Sequence, residues 1–235
     1  MNKLVIDNDV VNKHILIDED ADIEINLIDV SRNIKIELMP GVCLRVFDKS
    51  QNTKNIIEYA VNQNCKVFVN KLSIDSSDDI TLNLNGEGSF VIFNTSIINY
   101  KDNEFREVIN HNVPKCESKI RNHAINVKDN TFKFIVDGVV KKDSIKTTFK
   151  QDNKIINLNS GKSFILPNLI VDNDDIEASH SAYIGSFDLD SKFYMMTRGI
   201  DEKTCDILLM KAFLLNNMNL DEKEKSVFES MIENI

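Results

Sequence analysis

Along most of this chain, apolar and polar residues take turns. In "DIEINLI" the apolar Ile23, Ile25 and Leu27 are separated by charged or polar positions, and "NIKIEL" repeats the arrangement at Ile34, Ile36 and Leu38. "CLRVFD", "KVFVNKLSI", "ITLNLNGEGSFVIFN", "FKFIVDGVV" and "KIINLN" carry it on, so that Ile15 to Phe164 reads as strand after strand. A period of two over short runs marks half-buried strands, because successive side chains point to opposite faces. The stretches between are short and rich in Asn, Asp and Ser, which tolerate left-handed backbone and bond their own main chain. Two-residue hairpins call for Asn-Gly or Asp-Gly. Each occurs once, at Asn85-Gly86 and Asp137-Gly138, among only seven glycines. Many strands joined by polar corners rather than hairpins suit a parallel β-helix, with three strands of about five residues per coil. No fixed-length repeat is visible, so a sandwich or jelly roll is a rival on pattern alone.

From Asp201 the period changes. "DEKTCDILLMKAFLLNN" sets Cys205, Leu208, Leu209, Ala212, Phe213 and Leu215 at helical spacing behind an Asp201 N-cap. A second helix opens at Asp221, with Glu224 three residues on as in a capping box, and carries Val227, Phe228, Met231 and Ile232 on one stripe. The expected organisation is a β body over residues 1–200 and a helical segment over 201–235. Such a terminal pair either packs back on the body or offers a face to a partner.

Composition narrows the function. The 235 residues are 42% hydrophobic, enough for a sizeable core, and carry a formal charge of −9. That charge argues against nucleic acid and against an anionic membrane surface. No window approaches the roughly 20 apolar residues of a membrane helix, and charges interrupt the N-terminus before a signal-like apolar run can form. The expectation is a soluble, cytoplasmic protein. Cys43, Cys65, Cys116 and Cys205 lack CxxC spacing, so they read as reduced, mostly buried thiols.

Searches for catalytic motifs return little. There is no GxGxxG, HExxH or GxSxG, and Gly161-Lys162-Ser163 lacks both the upstream glycine and the following helix of a P-loop. Asp172, Asp174, Asp175 and Glu177 fail the EF-hand spacing and read as a solvated acidic corner. In "ASHSAYIG", Ser179 and Ser181 flank His180 but point to the opposite face of a strand. A lone imidazole such as His180 is more often structural than a ligand. Any metal held there needs further ligands from distant coils or from another chain.

The order of residues from Leu166 to Phe213 carries more. Pro167, Asp174-Asp175, Ser179-His180, Ala182, Gly185, Phe193-Tyr194, Arg198-Gly199-Ile200, Leu208-Leu209 and Phe213 fall in sequence and at intervals that resemble the signature of the SufB/SufD family of iron–sulfur cluster assembly proteins. A weaker likeness runs upstream, so the resemblance covers about residues 108 to 215. It implies a mainly β fold, a right-handed parallel β-helix with a short C-terminal α-helical segment. It implies a non-catalytic scaffold that works with a SufB-type subunit and the SufC-type ABC ATPase, or pairs with itself through the β-helix. His180 would help hold a transient iron–sulfur cluster at the partner interface. Arg198, Gly199, Leu208, Leu209 and Phe213 would form the ATPase dock. The D type is indicated because Asn153 stands near the place where the B type has a cysteine, and Ser181 follows the histidine where the B type has a glutamate. Two departures stand out: bulky Tyr183 replaces a small residue close to the proposed site, and the family's N-terminal helical region is missing. The alternatives are a carbohydrate-active β-helix enzyme, which usually needs aromatic platforms that a chain with 7% aromatics and no Trp does not suggest, or a structural β-helix protein.

Overall fold

The computed structural model describes residues 2–233. Numbered in chain order, its fifteen strands divide by parity. The odd strands β1 (Asn2–Ile6), β3 (Ala21–Ile28), β5 (Cys43–Gln51), β7 (Lys66–Ile74), β9 (Phe90–Asn99), β11 (Glu117–Asn126), β13 (Thr147–Asn157) and β15 (Ile176–Gly185) make one sheet. The even strands β2 (Lys13–Ile17), β4 (Asn33–Leu38), β6 (Ile56–Val61), β8 (Asp79–Leu84), β10 (Asn103–His111), β12 (Thr131–Val140) and β14 (Lys162–Val171) make the other. Each strand pairs in parallel with the one two places away. This is a parallel β-helix.

Each turn lays one strand in each sheet, not the three of about five residues that pattern alone suggested. The odd strands from β5 onward are nine to eleven residues long, so two strands and two tight corners close a turn. The corners use left-handed backbone. One column of them stacks Asp29, Asn52 and Asp75, at φ of 55°, 50° and 52°. The other stacks Gly41 and Gly88 with Asn64, Lys115 and Lys146, all at positive φ. Their amides reach the next coil, as Gly41 N does to Gln63 O at 2.8 Å and Lys115 N to Ile145 O at 2.9 Å.

The alternating apolar positions point inward from both sheets and stack in rows. Ile23, Val46, Val69, Phe93 and Ile120 form one such row, each in register with the next and each buried. The core leaves no slack at Gly138, which lies on an inward row of β12. A Cβ there would fall within the ring of Phe149 on the facing sheet. Gly138→Ala should therefore cost about 1–3 kcal/mol by overpacking, read as a lower midpoint of urea unfolding; an unchanged midpoint would mean that the ring has room to move.

The outer face of the odd sheet carries a second apolar cluster. Leu72, Ile74, Ile98, Ile125 and Ile156 meet Met210, Leu214, Phe228 and Ile232 there. These last four belong to helices α2 (Glu202–Leu215) and α3 (Glu222–Glu233). Both N-caps follow the sequence. Asp201 accepts from Thr204 N at 3.1 Å, and Asp221 and Glu224 bond each other's backbone amides at 2.8 and 3.1 Å. A third helix, α1 (Leu189–Thr197), was not evident in the spacing because it buries none of its residues. It follows β15 after three residues, capped by Asp188, inside the segment read from sequence as β body.

Candidate functional site

The two ends of the β-helix differ. At the N-terminal end the inward residues Ile6, Ile15 and Ile17 are buried, and Val10 from the β1–β2 loop packs against the core. At the C-terminal end, no strand among the described residues lies beyond the last coil. β15 and β14 each pair on one side only, as β1 and β2 do at the other end, so what sets this end apart is the exposure of its inward and outward rows. On β14 the outward Phe164, Leu166 and Ile170 are about half exposed, where the same rows of β12 hold Lys133, Ile135 and Val139. An apolar stripe beside free strand edges has the character of an interface.

His180 sits in this opening. It pairs in register with Gln151, which pairs with Ile120, so it continues the inward row that begins at Ile23. Upstream that row is buried; at His180 it is exposed, because no further coil follows. Its neighbours on the row are the small Ala178 and Ala182. Among the described residues, no hydrogen bond or ion pair engages the ring, which leaves both nitrogens open to a ligand. Tyr183 lies on the outward row with Lys154 and His123, and its ring folds over Gly185. It is on the opposite face of the strand from His180 and does not crowd it. Ser181 is also outward, and its hydroxyl bonds Asp152.

Beneath His180 the floor is polar. Asn153 Nδ2 donates to Gln151 Oε1 at 3.1 Å and to the carbonyl of Ser181 at 3.2 Å. Asn122 Nδ2 reaches Asn153 Oδ1 at 2.9 Å and Glu107 Oε2 at 2.7 Å, and Thr95 Oγ1 donates to Glu107 Oε1 at 2.8 Å. Glu107, Asn122 and Asn153 are all buried. Burial pushes the Glu107 carboxyl up to about 7, against the pull of Thr95, Asn122 and Lys71. Two coils further in, Lys71 bridges Asp48 and Asp78, at 2.9 Å to each, and all three are inaccessible to solvent. Sequence reading missed this polar column, although a signal was present. Lys71 and Glu107 fall on the apolar phase of "VFVNKLS" and "FREVINH", where a charge has to be buried.

The helical layer holds the other expected residues. Leu208 is exposed and Leu209 half-buried on α2. Arg198 lies over the Tyr194 ring at 5.2 Å, and Gly199, at φ +86°, closes α1. Phe213 is turned to the sheet, its ring stacked on His123 at 4.4 Å while His123 Nδ1 donates to its carbonyl at 2.7 Å. Phe213, half-buried, thus also anchors α2 to the sheet. The most exposed apolar side chains of this layer are on α1, at Leu189, Phe193 and Tyr194. Cys65, Cys116 and Cys205 are buried, Cys43 is half-buried, and all four are free thiols. Among the described residues, no three His, Cys, Asp or Glu side chains converge as a metal site, and no helix is long and apolar enough to cross a membrane.

Residues 73–213 match the family model described as "SUF system FeS cluster assembly, SufBD core domain". The chain belongs to this family. The match takes in β15, α1 and most of α2, and begins some way before the segment whose motifs carried the resemblance. The chain is also similar to the "Iron-sulfur cluster assembly protein SufD" of Bacillus subtilis (strain 168), with 25% identity over 148 residues. That similarity covers 62% of this chain and 34% of the relative, so the chain spans about a third of the relative's length. Within the SufBD family it is SufD-like.

Proposed function

We propose that this protein is a non-catalytic, D-like scaffold subunit for iron–sulfur cluster assembly. It joins a SufB-type subunit, or a second copy of itself, through the free edges of β14 and β15. One observation carries this reading: the C-terminal coil leaves its inward row exposed, and the residue that row presents is a histidine with no hydrogen bond or ion pair among the described residues. Joined edge to edge, two such ends would bury Phe164, Leu166 and Ile170 and place His180 at the junction. A neutral imidazole is a competent iron ligand. One histidine here and thiolates on the partner would hold a cluster loosely enough to release it. The cluster is cargo in this scheme, and the chain supplies a ligand and a surface.

The SufC-type ATPase would dock on the helical layer, where Leu208, Arg198, Gly199 and the bare face of α1 lie together in sequence after β15. Force on α2 would reach the odd sheet through the Phe213–His123 stack.

The test pairs binding with chemistry. The tagged chain is expressed with a SufB-type subunit and a SufC-type ATPase, as wild type and as His180→Ala. The variant should retain both partners and lose most of the cluster absorbance that builds up on the complex. Full cluster formation by the variant would remove His180 from the site. Failure of the wild type to retain either partner would overturn the scaffold reading itself.

A further inference from the structure

Among the described residues, the last coil leaves two strand edges free, and they differ. On β14, Lys162 N donates to Asn130 O and Asp172 N to Val140 O, and the register between them runs residue for residue. The even-numbered amides of β14 therefore face β12, and the odd-numbered ones face the free edge. Position 167 is one of the latter, and it is a proline. The edge of β14 thus lacks a donor at its middle, as suits a strand that no further strand joins. Another copy stacked on as a further coil would have to pair with β14 and β15 together, so Pro167 works against head-to-tail growth.

The edge of β15 has no such gap. Thr148 N donates to Cys116 O and Leu158 N to Asn126 O, so the even residues of β13 face β11 and its odd residues face β15. Through the register of Thr147 with Ile176, the odd residues of β15 face β13 and the even ones face outward along the edge. His180 is one of these, so its own N–H and C=O are offered to an incoming strand. From Ile176 to Ile184 the strand also reads nearly the same in both directions: Ile, Glu, Ala, Ser, His, Ser, Ala, Tyr, Ile. An antiparallel copy centred on His180 meets like with like. On the inward face Ile176 falls opposite Ile184, Ala178 opposite Ala182, and the two histidines opposite each other. On the outward face Ser179 falls opposite Ser181. The one departure sets Glu177 opposite Tyr183, a carboxylate facing a phenol, where a strict palindrome would set two carboxylates face to face. Ala182 and Ile184, both exposed, would be covered. A two-fold axis requires self-complementarity of this kind.

We propose that the last coil is joined by a second copy of this chain, whose β15 runs antiparallel to the first with His180 on the two-fold axis. This rests on the junction put forward with the scaffold reading, and it fixes the partner and the register. The hydrogen bonds of the junction fall to β15, while β14 contributes side chains alone. The two His180 residues form a hydrogen-bonded pair of the antiparallel ladder, with Cα atoms about 5.5 Å apart. Each imidazole then has the other copy's imidazole as its neighbour on the inward face.

The experiment uses the full chain carrying Cys43→Ser, since the other three cysteines are buried. Native mass spectrometry in the micromolar range should show a dimer. Ser179→Cys and Ser181→Cys are then oxidised, each alone and as an equilibrated mixture. In the proposed register position 179 faces position 181 of the other copy as a non-hydrogen-bonded pair, with Cα atoms about 4.5 Å apart and within reach of a disulfide. Position 179 and its own counterpart stand two residues out of step, about 8 Å apart and beyond that reach. The mixture should therefore give at least about tenfold more disulfide-linked dimer than either variant alone. Linking of Ser179→Cys alone, or of Ser181→Cys alone, would mean a shifted register and overturn the axis at His180. A dimer that links in none of the three samples would overturn the use of β15. A chain that stays monomeric and pairs only when a SufB-type subunit is added would overturn the proposal and leave the scaffold reading standing, since none of these readouts involves iron.

Discussion

Exchanging Lys71 for methionine is expected to destabilise the fold by roughly 3–5 kcal/mol, the largest single-residue effect in the chain. The ammonium sits 2.9 Å from both Asp48 Oδ2 and Asp78 Oδ2 and 3.0 Å from Ser50 Oγ, with no solvent access. Burial works against its charge, but the two aspartates more than offset that and hold its pKa above the ordinary lysine value. Burial pushes Asp48 up in spite of Lys71. Asp78 also accepts from Thr53 Oγ1 and from Asn55 N, so this one cation holds together two coils and a corner. Methionine would fill the same volume and leave two carboxyls in the core with no cation between them. One of them would have to take a proton, and neither would regain a donor. Urea unfolding of wild type and variant measures the cost. Adding Asp48→Asn to Lys71→Met should recover part of it, since one of the stranded charges is then gone. A single variant within about 1 kcal/mol of wild type would show that the triad contributes little beyond its volume.

Acidification should cost stability through His111 by up to about 3 kcal/mol. The ring lies against Phe149 at 5.1 Å, with Nε2 2.9 Å from Ser118 Oγ and Nδ1 3.4 Å from the Val139 carbonyl. Nδ1 therefore carries the hydrogen and donates to Val139, and Nε2 accepts from Ser118. Burial lowers the pKa to about 4, against about 6.5 for an exposed histidine. The contribution is thus complete above about pH 6.5 and is lost as the pH falls towards 4, where the folded form finally accepts the proton. Glu107 has the opposite sign. Its raised pKa favours the folded state at low pH, and that advantage disappears as the pH rises through about 7. The two must be separated by variants. Between about pH 7 and about pH 4.5, His111→Gln should lose less stability than wild type by about 2 kcal/mol. Parallel pH dependences for the two proteins would mean that the ring reaches solvent.

The fold was legible because its period is two. Ile23, Ile25 and Leu27, or Ile34, Ile36 and Leu38, declare their buried face without help from the rest of the chain. The number of strands per turn was not legible. Cys43 pairs with Lys66, 23 residues on, but Phe90 pairs with Glu117, 27 on, and Glu117 with Thr148, 31 on. Coils of unequal length hide the repeat from any search at fixed spacing. Helix α1 was hidden for a different reason. Leu189, Phe193 and Tyr194 face outward, so its apolar residues do not mark a buried stripe.

At the site, the motif around His180 was readable, but its setting was not. That the imidazole stands on the inward row, and Tyr183 on the outward one, depends on the register with Gln151 and Lys154. Local sequence cannot supply that register. Phe213 shows the reverse case. Its helical spacing marked it as important, and only the stack on His123 assigns it to holding the helix down.

The unequal coils also determine where this chain can change length. A residue added at a corner column, beside Asn52 or Lys115, lengthens one loop and leaves every row above and below in step. A residue added inside a strand turns the remainder of that strand over, brings its polar face into the bore, and breaks register with both neighbours. Length variation among relatives should therefore gather at the corners, each coil drifting independently while the stack keeps its pitch.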